Sequence, residues 1–119
     1  MSYIRERIQS FSHAFRGIHT LYKETPNAHI HLIVAIIAIL LGLLYKISPG
    51  EWLAIIIAIG AVFSMEAMNT ALERLSDYAC KKEIHSTIKK VKDLSAAAVL
   101  TMALAAVAVG LIIFLPKIF

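Results

Sequence analysis

The feature that most limits this chain is the amount of continuous apolar sequence packed into 119 residues. Three runs account for it: IHLIVAIIAILLGLLY at 30–45, WLAIIIAIGAVFSMEAM at 52–68 and SAAAVLTMALAAVAVGLIIFL at 95–115. A helix crossing the hydrocarbon core of a bilayer needs about 20 mostly apolar residues. The third run reaches that length alone, and polar residues continue the first two into the headgroup region. One such run can be the buried helix of a soluble core. Three of them leave too little polar chain to cover their surface. Hydrophobic residues are 59% of the sequence and charged residues 17%, against about 45–50% and 25% in ordinary globular domains. The expected fold is an all-α membrane protein in one domain, 1–119. It has an amphipathic surface helix at about 3–22 and transmembrane helices at about 27–46, 51–78 and 93–116. Disorder is excluded by the apolar content. One cysteine, Cys80, excludes a disulfide framework and a zinc site built on cysteine spacing.

The first 29 residues are polar and charged, with no apolar stretch of signal-peptide type. Ile4, Ile8, Phe11, Phe15 and Ile18 recur every three or four residues, with Arg5, Arg7 and Arg16 between them. That spacing predicts a helix lying in the membrane surface. Glu24-Thr25-Pro26-Asn27 breaks it. Proline disfavours helix in the residue before it and suits a first helical turn, so the first span is expected to begin near Pro26.

Basic residues set the expected orientation. Arg5, Arg7, Arg16 and Lys23 precede the first span, and Arg74, Lys81, Lys82, Lys89, Lys90 and Lys92 lie between the second and third. Only Lys46 and Lys117 fall on the other side. The N-terminus and the second loop are therefore expected in the cytoplasm, and the Pro49-Gly50 turn and the C-terminus outside. The basic residues flank apolar runs instead of forming a separate arm, which favours a membrane surface over nucleic acid as the partner of the charge.

The second run does not stay apolar. It passes into MEAMNTALERLSD, with Glu66, Asn69, Thr70, Glu73 and Asp77. At about 100° per residue, Asn69, Glu73 and Asp77 fall near −60°, −20° and +20° from Glu66, one polar stripe about 16 Å long. A carboxylate inside a span costs at least ~2.5–3.5 kcal/mol, so it faces protein or a watery cavity and is a functional candidate. Paired carboxylates at the end of a span can hold Mg²⁺ through oxygen ligands beside a phosphate, and one of them can act as a general base. Across the loop, Lys92-Asp93 is expected to open the third span, with Glu83 and His85 just before it. A lysine at a helix start can meet phosphate oxygens. No Gly-rich nucleotide loop is present, so any bound phosphate must rely on metal and lysine. His13, His19, His29 and His31 are spread over different segments and suit hydrogen-bonding roles better than a metal site.

Glu66-Ala-Met-Asn69-Thr70-Ala71-Leu-Glu73, Asp77 and then Lys92-Asp93-Leu-Ser-Ala-Ala-Ala98-Val99 resemble the signature of the prokaryotic diacylglycerol kinase family, which includes the undecaprenol kinases. The order agrees along the whole chain: surface helix, Phe15-Arg16-Gly17-Ile18, Asn27 and His31 at the first span, then the two motif blocks. The resemblance implies a small three-span enzyme that works as a homotrimer with sites between subunits, using ATP and Mg²⁺. It implies Glu66 as the general base toward a lipid hydroxyl and Glu73 as a Mg²⁺ ligand. Asn69 would shape the site, and Asp77, Glu83, His85, Lys92 and Asp93 would lie around the nucleotide, Lys92 on phosphate. One departure stands out. The family's second metal-binding Glu lies two residues before the Asn of the first span, where this chain has Thr25, with Glu24 one residue earlier as the substitute candidate. Undecaprenol is the favoured acceptor, because the compact spans and the LIIFLPKIF ending are similar to that branch, with diacylglycerol as the alternative. Two other classes stay open from the residues alone. A proton-coupled transporter would want a lone carboxylate at midspan, and a non-catalytic membrane subunit would need no paired glutamates.

Overall fold

The computed structural model describes residues 2–81, 83 and 85–119. Four helices follow in order: α1 (Ser2–Glu24), α2 (Pro26–Tyr45), α3 (Pro49–Cys80) and α4 (Ser86–Ile118). The last three are each long and apolar enough to cross a membrane, and no strand occurs among the described residues.

The first two helix junctions have local causes. Thr25 is extended (φ −119°, ψ 103°), as a residue before proline must be, and Pro26 opens α2. A single residue thus separates α1 from α2. Thr25 does not cap α2 with its side chain; its hydroxyl goes elsewhere, as described below. Lys46 ends α2 in the left-handed conformation (φ 51°), its N–H donating to the Gly42 carbonyl. Ser48 then starts α3 with a reciprocal cap: its Oγ accepts from the Glu51 N–H at 3.2 Å, and Glu51 Oε1 accepts from the Ser48 N–H at 2.9 Å. The turn is tight because Gly42 has no side chain. A Cβ there would lie 2.7 Å from the Trp52 ring.

The bundle runs α2 up, α3 down and α4 up. At the turn end, Ile47, Ile55, Ile113 and Phe114 form the buried cluster, with Tyr45 and Trp52 against it. Lys117 Nζ donates to Glu51 Oε2 at 2.9 Å and ties the end of α4 to the start of α3. The opposite end, where α1 meets α2, α3 leaves the bundle and α4 enters it, holds most of the charge and is called here the charged end.

At 1.5 Å per residue, α3 and α4 are each about 50 Å long, which accounts for the longest dimension of the molecule, 52 Å. The shortest, 21 Å, is the thickness of the packed helices. The remaining 47 Å requires α1 to project sideways. Its apolar row of Ile4, Ile8, Phe11, Phe15 and Ile18 stays exposed, and Leu21 is its one buried residue. Such a helix suits the plane of a membrane surface. Less than a quarter of each span's apolar window is buried within the chain, so lipid or other chains must cover the rest.

The expected start of the first span matches. The helix that carries the third span begins before Lys92-Asp93: α4 starts at Ser86. Residues 86–91 are too polar for the hydrocarbon core, but nothing in them stops a helix, and a Lys89–Asp93 pair at 2.8 Å supports the extra turns. Apolar length marked the membrane crossing, and the helix runs past it.

Candidate active site

Glu66 is the centre of the charged end. It is 1% exposed, the largest fully buried side chain among the described residues. It lies on α3 one turn beyond Phe63, where Tyr22 of α1 and His31 of α2 pack their rings. One carboxylate oxygen, Oε1, is 3.1 Å from His31 Nε2. The other, Oε2, is buried with no hydrogen-bond partner among the described residues. Buried polar atoms are nearly always partnered, and leaving one unpaired costs about 1–3 kcal/mol. An oxygen kept in that condition is available to accept a proton, or a hydrogen bond donated by a hydroxyl group.

The polar part of α3 divides between two neighbours. Toward the α1–α2 junction, Thr70 Oγ1 bonds Thr25 Oγ1 at 2.9 Å, and Arg74 pairs with Glu24 at 3.0 Å. Toward α4, Asn69 Oδ1 accepts from Ser95 Oγ at 2.6 Å, and Asp77 accepts from Lys92 Nζ. Asn69 also donates from Nδ2 to Glu73 Oε1, at a long 3.4 Å. The single stripe expected from the wheel is therefore shared out: Glu66 turns to α2, and Asn69 and Asp77 to α4. Thr25, the departure from the family pattern, is a packed cross-helix partner, buried at 8% exposure.

The other expected site residues are placed as follows. Lys92 and Asp93 sit in the second turn of α4, so Lys92 acts through its own charge and not through a helix terminus, whose field fades within the first turn. Asp93 is exposed and paired to Lys89. Glu83 and His85 are exposed loop residues 3.7 Å from each other; their recorded ion pair is mutual and does not reach α3. Sequence reasoning placed His31 at the first span but missed its bond to Glu66, and it missed Ser95 and Thr70 as partners. A usable signal existed. His31 lies 17 residues before Ser48 and Glu66 lies 18 after it, so an antiparallel hairpin puts the two at one depth.

Among the described residues, no three His, Cys, Asp or Glu side chains converge as a metal cage. Mg²⁺ asks for less, one or two carboxylates with substrate phosphate and water completing the shell. Glu73 fits that demand, being exposed and having, among the described residues, only the long bond from Asn69 on one oxygen. Glu24 is less free, with Oε1 held by Arg74.

A model of the prokaryotic diacylglycerol kinase family matches residues 12–114. The chain belongs to that family. Within it, the undecaprenol kinase of Bacillus subtilis is 38% identical over 110 residues, covering 92% of this chain and 89% of the relative. A diacylglycerol kinase of Synechocystis sp. is 30% identical over 109 residues, covering 92% of this chain and 62% of that longer protein. A member of the prokaryotic diacylglycerol kinase family is a lipid kinase, and this one is a multi-pass membrane protein with three apolar spans. The resemblance read from the two motif blocks is thereby confirmed at the level of family, and the transporter and non-catalytic readings are set aside.

Proposed function

We propose that the chain transfers the γ-phosphoryl group of ATP to the hydroxyl of a membrane lipid alcohol, with undecaprenol as acceptor and undecaprenyl phosphate as product. The observation that carries this reading is the buried, unpartnered Oε2 of Glu66 at the polar end of an apolar helix. In the reaction, the lipid hydroxyl oxygen bonds to the γ-phosphorus, and the bond from that phosphorus to the β–γ bridging oxygen breaks. ADP leaves with the electron pair, and the hydroxyl proton passes to Glu66 Oε2. Phosphoryl transfer needs positioning and charge neutralisation more than covalent help. Glu73 would hold Mg²⁺, which would supply neutralisation of the phosphate charge. Lys92 supplies a cation for the phosphates, steered by Asp77, and Asn69 keeps Glu73 in place from a side chain anchored on α4. Asp93, Glu83 and His85 would border the nucleotide. An acceptor confined to the bilayer and a donor dissolved in water meet only at the interface, where the charged end lies.

Undecaprenol is preferred over diacylglycerol because the relative named for it matches at higher identity and over nearly its full length. Assaying purified protein with Mg²⁺, ATP and each alcohol at equal mole fraction in detergent tests this. Turnover is expected to be higher on undecaprenol. An equal or higher rate on diacylglycerol reverses the choice of lipid, and transfer to neither alcohol rejects the kinase reading for this chain.

The same reading places the protein in the bacterial cytoplasmic membrane, with the charged end in the cytoplasm and the C-terminus outside. This follows the bias of basic residues. It also calls for a homo-oligomer, a trimer by resemblance. Within one chain, Lys92 is held by Asp77, which lies about 16 Å along α3 from Glu66 at 1.5 Å per residue. A site drawing Glu66 and Lys92 from neighbouring subunits avoids that separation. Glu66→Gln and Lys92→Ala, each inactive alone, are then expected to regain part of the activity when mixed in one oligomer. No recovery in verified mixed oligomers would place both groups of a site in one chain.

A further inference from the structure

We propose that His31 is a positioning residue for the reaction: by donating its Nε2–H to Oε1 of Glu66 it fixes the orientation of that carboxylate and aims Oε2 at the acceptor hydroxyl. The inference rests on the reading of Glu66 as base and adds a second residue to it.

The geometry gives this role to His31 and to no other described side chain. Glu66 is 1% exposed and has one side-chain hydrogen bond, to His31 Nε2 at 3.1 Å. A carboxylate acting as base only accepts, so on that reading the hydrogen in the contact belongs to the imidazole. With Oε1 taken and Oε2 unpartnered, the two oxygens are unequal: one is fixed and the other is left for substrate. The imidazole is itself held. Its ring stands edge-on to Phe63 at 6.3 Å between centroids, and its side chain is 20% exposed. His31 also lines an apolar cavity of about 400 Å³ between α2, α3 and α4, with Phe63 and Val62 beside it, so one face of the ring meets hydrocarbon.

Several charged and titratable groups at this end have other partners. On α1, Tyr22 packs against Phe63 and His29, and Glu24 is paired with Arg74 of α3. On α4, Lys92 is bound to Asp77 and Asp93 to Lys89. On α3 itself, Glu73 is two turns away with Asn69. The bond from His31 is thus the side-chain contact that orients the carboxylate. A reacting group displaced by about 1 Å can lose on the order of 10²-fold in rate, and nucleotide binding does not depend on that orientation.

The test is the turnover and the KM for ATP of the purified full-length protein with Mg²⁺, ATP and undecaprenol, comparing wild type, His31→Leu, His31→Gln and Glu66→Gln. Glutamine keeps an N–H donor and leucine keeps only bulk. For His31→Leu, turnover is expected to fall about tenfold or more. The KM for ATP should stay unchanged. For His31→Gln, most of the activity should remain. Undiminished turnover in His31→Leu overturns the inference, as does a glutamine variant that fails while folded. If the leucine variant does not assemble, His31→Met, which also lacks a donor, takes its place with the same expected loss. Glu66→Gln separates the two levels. If it is inactive while His31→Leu behaves as wild type, only the role of His31 fails. If Glu66→Gln keeps near-normal turnover, the base assignment itself fails.

Discussion

Glu66→Gln is expected to lower turnover by about 10²-fold or more, the scale of a lost general base, with nucleotide affinity unchanged. The substitution is nearly isosteric. The amide oxygen of glutamine can take the place of Oε1 and accept from His31 Nε2, so the contact seen at 3.1 Å has a replacement. The amide nitrogen then occupies the position of Oε2, the oxygen with no partner among the described residues, and it cannot accept a proton. Shape is kept and the base is gone. Stability should not suffer, because the variant removes a buried carboxylate whose desolvation costs several kcal/mol. Measuring kcat on undecaprenol and the binding of a non-hydrolysable nucleotide on the same preparation checks both halves. Near-normal kcat would remove Glu66 from the chemistry, and a parallel loss of nucleotide binding would move it from base to binding group.

Glu73→Gln is expected to weaken Mg²⁺-dependent nucleotide binding and turnover together. A hard cation that loses one anionic oxygen ligand binds less tightly, and here Glu73 is the exposed carboxylate with most of its lone pairs free. Asn69 can still donate to the amide oxygen, so the local frame persists. An exposed position away from the core leaves folding within about 0.5 kcal/mol. Titrating Mg²⁺ at fixed ATP should show a higher concentration for half-maximal rate, and excess Mg²⁺ should recover part of the loss. Unchanged Mg²⁺ dependence with unchanged nucleotide affinity would reject the ligand role. The contrast between the two glutamates is informative in itself. Glu66, at 1% exposure, is placed for proton transfer, and Glu73, in the open, is placed for a hydrated cation.

By itself the sequence determined the class of fold, the surface helix, the three crossings and the family. These depend on quantities that add up along a chain: apolar length against bilayer thickness, a helical period in residues 4–18, a proline that fixes the conformation before it. The break at Thr25-Pro26 was legible to within a residue for the same reason. The start of α4 was not, because lipid thickness limits the apolar run and sets no limit on the helix that contains it. The candidate glutamates were legible as types at a spacing, since a carboxylate in a span needs a reason to be there. What only the tertiary structure decided is which neighbour each polar side chain meets. Helices that cross at an angle send residues of one stripe to different partners, so Glu66 goes to His31, Thr70 to Thr25, Asn69 to Ser95 and Asp77 to Lys92. A helical wheel gives directions about one axis and knows nothing of the other axes. The difference between the two oxygens of Glu66, one held and one free, arises only when three helices close around them.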